Sequence, residues 1–210
     1  MLDQQQIALA ITGASGAPYA KRLLQVLLKQ GLTVHLMIST AGRIVLADEL
    51  NWKLPARASD VQEKLSQEFD CVPEQLQVYG EQQWSSPLAS GSHRVPAMIV
   101  CPCTMGTLSA IACGQSDNLI NRAADVMLKE DRKLIVVPRE APFSVIHLEN
   151  MLKLAKLGVC ILPPNPGFYF NPTSLAEVVD FVVARILDQA KIEHDLMPRW
   201  GSNGLFGIRR

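Results

Sequence analysis

Short apolar runs recur along this chain, and four of them stop at turns built from small, hydroxyl-bearing or charged residues. Ile7 to Ile11 runs into Thr12-Gly13-Ala14-Ser15-Gly16, and Val34 to Ile38 into Ser39-Thr40. Met98 to Val100 runs into Cys101-Pro102-Cys103-Thr104-Met105-Gly106-Thr107, and Leu134 to Val137 into Pro138-Arg139-Glu140. Such runs, without polar alternation, predict strands buried on both faces. Between them the spacing turns helical. Leu23, Leu24, Leu27 and Leu28 share one face of a helix over 17–29 that Gly31 closes. Further strands are predicted at 33–38, 97–101, 133–137 and 159–162, with a possible one at 77–79. Further helices are predicted at 41–50, 60–69, 106–113, 117–130 and 144–156. A last long helix starts near Ser174, whose spacing to Glu177 predicts a capping box. Its expected apolar face is Leu175, Val178, Val179, Val182, Val183, Ile186 and Leu187. The alternation predicts one α/β domain over 1–210, a parallel sheet with helices on both faces. Residues 51–96 read as an irregular insertion and binding loop, and 191–210 as a C-terminal tail.

Composition narrows the function classes. The chain has 210 residues, and its Lys plus Arg total of 20 matches its Asp plus Glu total of 20. A general nucleic-acid surface is therefore not expected. Apolar runs fall well short of the ~20 residues of a membrane helix. The opening Met-Leu-Asp-Gln-Gln-Gln has no signal-peptide pattern, so the expected location is cytoplasmic. Cys71, Cys101, Cys103, Cys113 and Cys160 are scattered, without metal-ligand spacing. They read as reduced, mostly buried thiols, and no metal site is expected.

Ligands of open parallel sheets bind outside the carboxyl ends of the strands, so the four turns carry the functional expectation. Together they offer hydroxyls, backbone N–H groups, one Arg and one Glu, which suits an anionic, phosphorylated ligand. The 12–17 turn sits between strand and helix, where N–H groups can face an anion. It is not G-x-G-x-x-G, since Ser15 and Pro18 replace the later glycines, and Ser39 stands where an acid would hold an NAD ribose. Ala17 departs from the G-x-S-x-G elbow. Ser15 reads better as a phosphate or flavin contact, the alternative being a plain tight turn. Thr104 and Thr107 open another helix and serve either a ligand or ordinary capping. Arg122 and Lys129, seven residues apart, share a helix face about 10 Å along its axis, or form a solvated face with Asp125. Arg139 offers a planar fork for phosphate and Glu140 a proton carrier, unless they are a surface ion pair. Arg185 borders the last apolar face, where snorkelling is the plainer reading. Glu49 carries little weight alone, and His147 reads as a hydrogen-bonded structural residue. Trp84, Tyr169 and Trp200 fall in loop or tail regions and either stack on a planar ring or simply pack.

Taken together, these segments resemble the UbiX-type flavin prenyltransferases, formerly described as aryl carboxy-lyases. The matching strings are Thr-Gly-Ala-Ser-Gly-Ala at 12–17, Ala-Ser-Gly-Ser at 89–92, Cys-Pro-Cys-Thr-Met-Gly-Thr-Leu-Ser-Ala-Ile-Ala at 101–112 and Asp-Asn-Leu-Ile-Asn-Arg-Ala-Ala-Asp-Val at 117–126. Others are Pro-Arg-Glu-Ala-Pro-Phe-Ser at 138–144, His-Leu-Glu-Asn-Met at 147–151 and Pro-Arg-Trp at 198–200. The resemblance implies a Rossmann-like, flavodoxin-type cytoplasmic flavoprotein, assembled as a dodecamer. It implies a prenyltransferase that joins the dimethylallyl group of dimethylallyl phosphate to N5 and C6 of reduced FMN. The prenylated FMN would pass to a UbiD-type decarboxylase, with ubiquinone biosynthesis as one setting. By position, Gly13, Ala14, Ser15, Ser39, Thr104, Met105, Gly106, Thr107 and Arg139 would hold FMN. Trp84, Ser90, Gly91, Arg122, Lys129, Glu140, Tyr169, Arg185 and Trp200 would surround the prenyl phosphate, with Trp200 supplied by another subunit. Ser15, Glu49, Lys129 and Glu140 would be catalytic. The rivals are an FMN-dependent cysteine decarboxylase, whose Pro-x-Met-Asn-x-x-Met-Trp stretch and catalytic His have no match here, and a non-catalytic flavin carrier.

Overall fold

The computed structural model describes residues 6–197. Six strands form one parallel sheet: β1 (Gln6–Ile11), β2 (Thr33–Ile38), β3 (Leu76–Tyr79), β4 (Ala97–Cys103), β5 (Lys133–Pro138) and β6 (Cys160–Ile161). Their order is β3-β2-β1-β4-β5-β6. The direction of winding therefore reverses between β1 and β4, which leaves a crevice at their carboxyl ends.

Seven helices accompany them among the described residues: α1 (Ala17–Lys29), α2 (Thr40–Leu50), α3 (Ala58–Glu68), α4 (Met105–Ala112), α5 (Leu119–Lys129), α6 (Val145–Lys156) and α7 (Leu175–Ala190). The expected Rossmann-like sheet with helices on both faces is present. Alternation along β1 explains the layering. Ile7, Leu9 and Ile11 face a core shared with α1, α2, α3 and α7, whereas Ala8 and Ala10 face the core of α4, α5 and α6. The large side chains fill one layer, and the alanines let the helices of the other come close.

Several expectations need correction. The strand expected at 159–162 shrinks to Cys160–Ile161 before Pro163-Pro164. The apolar face of α7 begins a turn late: Leu175 is 75% exposed, Val178 is half-buried, and Phe181 and Ala184 join the core. The capping box at Ser174 is half made. Ser174 Oγ accepts from Glu177 N–H, but the Glu177 carboxylate turns one residue further back and accepts from Thr173 N–H at 2.7 Å. The full box belongs to α6, where Ser144 and His147 satisfy each other's N–H groups. His147 is thus the structural residue expected. Of the five free thiols, Cys101 and Cys103 are buried, Cys71 and Cys160 half-buried and Cys113 exposed, fewer buried than expected.

Candidate active site

The crevice is built by one buried threonine. Thr12 Oγ1 donates to the Pro102 carbonyl at 2.8 Å and accepts from Thr104 N–H at 2.9 Å, tying the turn after β1 to the turn after β4. That clamp sets Gly13, Ala14 and Ser15 beside Thr104, Met105, Gly106 and Thr107. Thr104 also caps α4, accepting from Thr107 N–H at 3.0 Å and donating to Thr107 Oγ1 at 2.9 Å. Capping and ligand binding are thus compatible here, since Thr107 keeps its own O–H to donate. Gly106 is exposed, and a side chain there would meet nothing closer than 3.8 Å.

Helix α2 lies across the carboxyl end of β1. At its start, Ser39 Oγ accepts from Gly42 N–H at 3.0 Å, and Gly13 packs against Ala41. At its other end Glu49 reaches α1, where its carboxylate accepts from Gly16 N–H at 3.0 Å and Ala17 N–H at 2.8 Å. The two N–H groups that open α1 are therefore filled by the chain's own carboxylate, so any ligand phosphate must use the neighbouring groups. Partial burial alone would raise the Glu49 carboxyl, but hydrogen bonds from Ser15, Gly16 and Ala17 and the charge of Arg139 outweigh it and hold the pKa below the usual range. Glu49 is thereby an ionised partner of the Ser15 hydroxyl at neutral pH.

Arg139 leaves β5 into the same crevice, its Nε 3.4 Å from the Ser15 carbonyl. Glu140 is exposed, and its carboxylate accepts from Ala141 N–H at 3.1 Å. One chain thus brings together Ser15, Ser39, Glu49, Thr104, Thr107 and Arg139. Its hydroxyls, exposed cation and open backbone suit a flavin mononucleotide phosphate and its adjoining chain. Sequence reasoning undervalued Glu49 and passed over Thr12 as a clamp, because both act on backbone groups distant in sequence.

The other expected residues lie elsewhere. Arg122 Nε donates to the Ala89 carbonyl at 3.0 Å, and its Nη1 pairs with Asp125 at 2.8 Å, so the expected charged face with Asp125 exists. Lys129 pairs with Glu130 at the far end of α5, beside Gly91. Ser90 Oγ shares a hydrogen bond with Ser92 Oγ at 2.9 Å. The turn after α5 feeds the amino end of β5, whereas Arg139 follows its carboxyl end. The six residues of β5 separate the two by roughly 20 Å at about 3.3 Å per residue. A third group lines the sheet edge: Tyr169 stands edge-on to Phe181, and Arg185, one turn along α7, pairs with Asp188 at 2.6 Å. Trp84 is 47% exposed in the loop after β3. Within one chain, therefore, Lys129 does not share a phosphate with Arg139, the residue that the resemblance assigns to FMN. Trp200 lies outside the described residues.

Comparisons with known proteins agree with this geometry. A flavoprotein family profile matches residues 1–187. The chain is 52% identical to a flavin prenyltransferase UbiX from Pseudomonas aeruginosa over 98% of both chains. It superposes on a dodecameric FMN-dependent UbiX-like decarboxylase from Escherichia coli O157:H7 with a TM-score of 0.81 at 40% identity, covering 93% of this chain and 98% of that one. It also superposes on AnUbiX in complex with FMN and dimethylallyl pyrophosphate, with a TM-score of 0.83 at 36% identity, covering 93% of this chain and 97% of that one.

Proposed function

The chain belongs to the flavoprotein family and, within it, to the flavin prenyltransferases, and we propose that its residues join the dimethylallyl group of dimethylallyl phosphate to reduced FMN as follows. Bound reduced FMN supplies the electron-rich N5 and C6 positions that receive the prenyl group. Gly13, Ala14, Ser15, Ser39, Thr104, Met105, Gly106, Thr107 and Arg139 hold it in the crevice between β1 and β4. Glu49, ionised and hydrogen-bonded through Ser15, takes up the proton released at the flavin. Arg122, Lys129 and Arg185 stabilise the phosphate as it departs with the electrons of the allylic C–O bond. Ser90, Gly91 and Tyr169 fix its oxygens, and Glu140 exchanges protons with it. The faces of Trp84 and Trp200 offset positive charge on the allyl carbon. The observation that carries this reading is the cradle of Ser15, Glu49, Thr104 and Arg139 at the point where the sheet reverses.

Lys129 and Gly91 sit at the other end of β5 from that cradle and from Glu140, so the full site assembles between copies in a homo-oligomer, a dodecamer. An exposed apolar stripe beside Arg139 supports such contacts: Val145 is 70% exposed, Ile146 66%, Leu148 52% and Leu152 56%. We further infer a cytoplasmic enzyme, consistent with five free thiols, that passes its product to a UbiD-type decarboxylase. The test is anaerobic incubation with reduced FMN and dimethylallyl phosphate, then mass spectrometry of the extracted flavin. A gain of one prenyl unit, lost in Lys129→Ala, is expected. Tightly bound but unmodified FMN would overturn the reading and favour a carrier or a peptidyl-cysteine decarboxylase.

A further inference from the structure

Arg132 stands just past the end of α5, and none of the roles above uses it. Its guanidinium fork spans one turn of the 89–94 loop, with Nη2 donating to the Gly91 carbonyl at 2.5 Å and Nη1 to the His93 carbonyl at 2.6 Å. Its side chain is only 15% exposed, and Glu130 Oε2 lies 3.8 Å from Nη2. The other oxygen of Glu130 holds the Lys129 ammonium. A cation after a helix often serves only the helix carbonyls. Here both guanidinium hydrogen bonds go instead to a separate loop, which a planar bidentate donor fixes in place and orientation.

The loop packs closely against this cluster. A Cβ added to Gly91 would run into the Glu130 carboxylate and lie 2.9 Å from Lys129 Nζ. The Gly91 backbone thus lies directly against the tips of the Lys129–Glu130 pair. Glu130 itself is held below the usual carboxylate range by the hydrogen bond and charge of Lys129 and by Arg132, so it stays ionised between two cations at neutral pH. We propose that Arg132, acting with Glu130, is a positioning residue for the prenyl-phosphate half-site: it locks the loop carrying Ser90 and Gly91 onto Lys129, so that the phosphate meets a preassembled rim. This inference rests on the reading that Ser90, Gly91 and Lys129 meet the phosphate. Preassembly lowers the ordering cost of binding, so its loss falls on substrate affinity rather than on the chemical step.

The test measures prenylation of saturating reduced FMN against dimethylallyl phosphate concentration for the wild type, Arg132→Gln, Arg132→Lys and Lys129→Ala, with FMN affinity and oligomer size measured alongside. Arg132→Gln is expected to raise KM for the allyl phosphate roughly tenfold, with kcat, FMN affinity and assembly little changed. Arg132→Lys, which keeps the charge but loses the fork, should recover part of that loss. A wild-type KM in Arg132→Gln while Lys129→Ala collapses would remove Arg132 from the half-site and leave the half-site itself standing. An unaffected Lys129→Ala would instead overturn the underlying reading. A fall in kcat with KM unchanged also refutes positioning. Should Arg132→Gln fail to assemble, Glu130→Gln replaces it: it removes the charge that pairs Lys129 with Arg132, and an unchanged KM there overturns the proposal.

Discussion

Glu49 does two jobs with one carboxylate, and both need its charge. Its hydrogen bonds to Gly16 and Ala17 N–H fill the opening turn of α1, while its bond with Ser15 points it at the proposed flavin position. A carboxylate at a helix N-terminus contributes about 1 kcal/mol. Because its folded pKa lies below the ordinary value of 4.5, that contribution is complete above the ordinary value and fades as pH falls through the folded one. Glu49→Gln is therefore expected to unfold at lower urea than the wild type at pH 7, and the gap should shrink as pH falls below the ordinary carboxylate value and through the lower folded one. Its prenylation rate should fall at all pH values where the wild type is active. A gap that persisted unchanged into acid would show that the carboxylate charge is not what stabilises α1.

At the scale of elements, α2 is the part that makes the crevice, and one glycine permits it. Gly42 lies so close to the end of β1 that a Cβ would sit 2.7 Å from the Ile11 carbonyl oxygen, a backbone atom that cannot step aside. Gly42→Ala is expected to lift α2 and cost about 1–3 kcal/mol. The result should be a Tm lower by several degrees and weaker FMN binding, because Ser39 and Glu49 move with the helix. Calorimetry with and without FMN checks both. Very little of this was legible in the sequence. The strands and helices were, because uninterrupted apolar runs and 3.6-residue spacing are local signals: α1 and β2 fall at the residues expected. The hydroxyl turns were legible too, since they directly follow those runs. What failed to show were relations between distant segments. Thr12 reaching Pro102, Glu49 reaching Gly16 and Arg132 reaching Gly91 span 90, 33 and 41 positions. Nothing in the residues beside each of them announces the partner. The late start of the buried face of α7 has the same origin, because the first turn of that helix projects past the edge of the core.

At the scale of the whole molecule, the decisive fact is distance. Arg139 and Lys129 lie near opposite ends of β5, roughly 20 Å apart by strand rise. A phosphate-sized ion cannot touch both within one chain, since a charged hydrogen bond spans about 3 Å. If both serve one reaction, each site takes Arg139 from one copy and Lys129 from another. This gives a test independent of any single loss of activity. Arg139→Ala and Lys129→Ala should each be inactive as homo-oligomers. Co-expressed and purified as mixed assemblies through two different tags, they should regain activity, because some sites then receive the intact half of each parent. With random mixing at equal amounts, roughly a quarter of sites combine two intact halves in a closed symmetric assembly, so recovery of about that fraction of wild-type activity is expected. Mixing the two purified parents without exchange of subunits should recover nothing. Mixed assemblies that remained inactive would place one of the two residues outside catalysis and would return the apolar stripe on α6 to a purely structural contact.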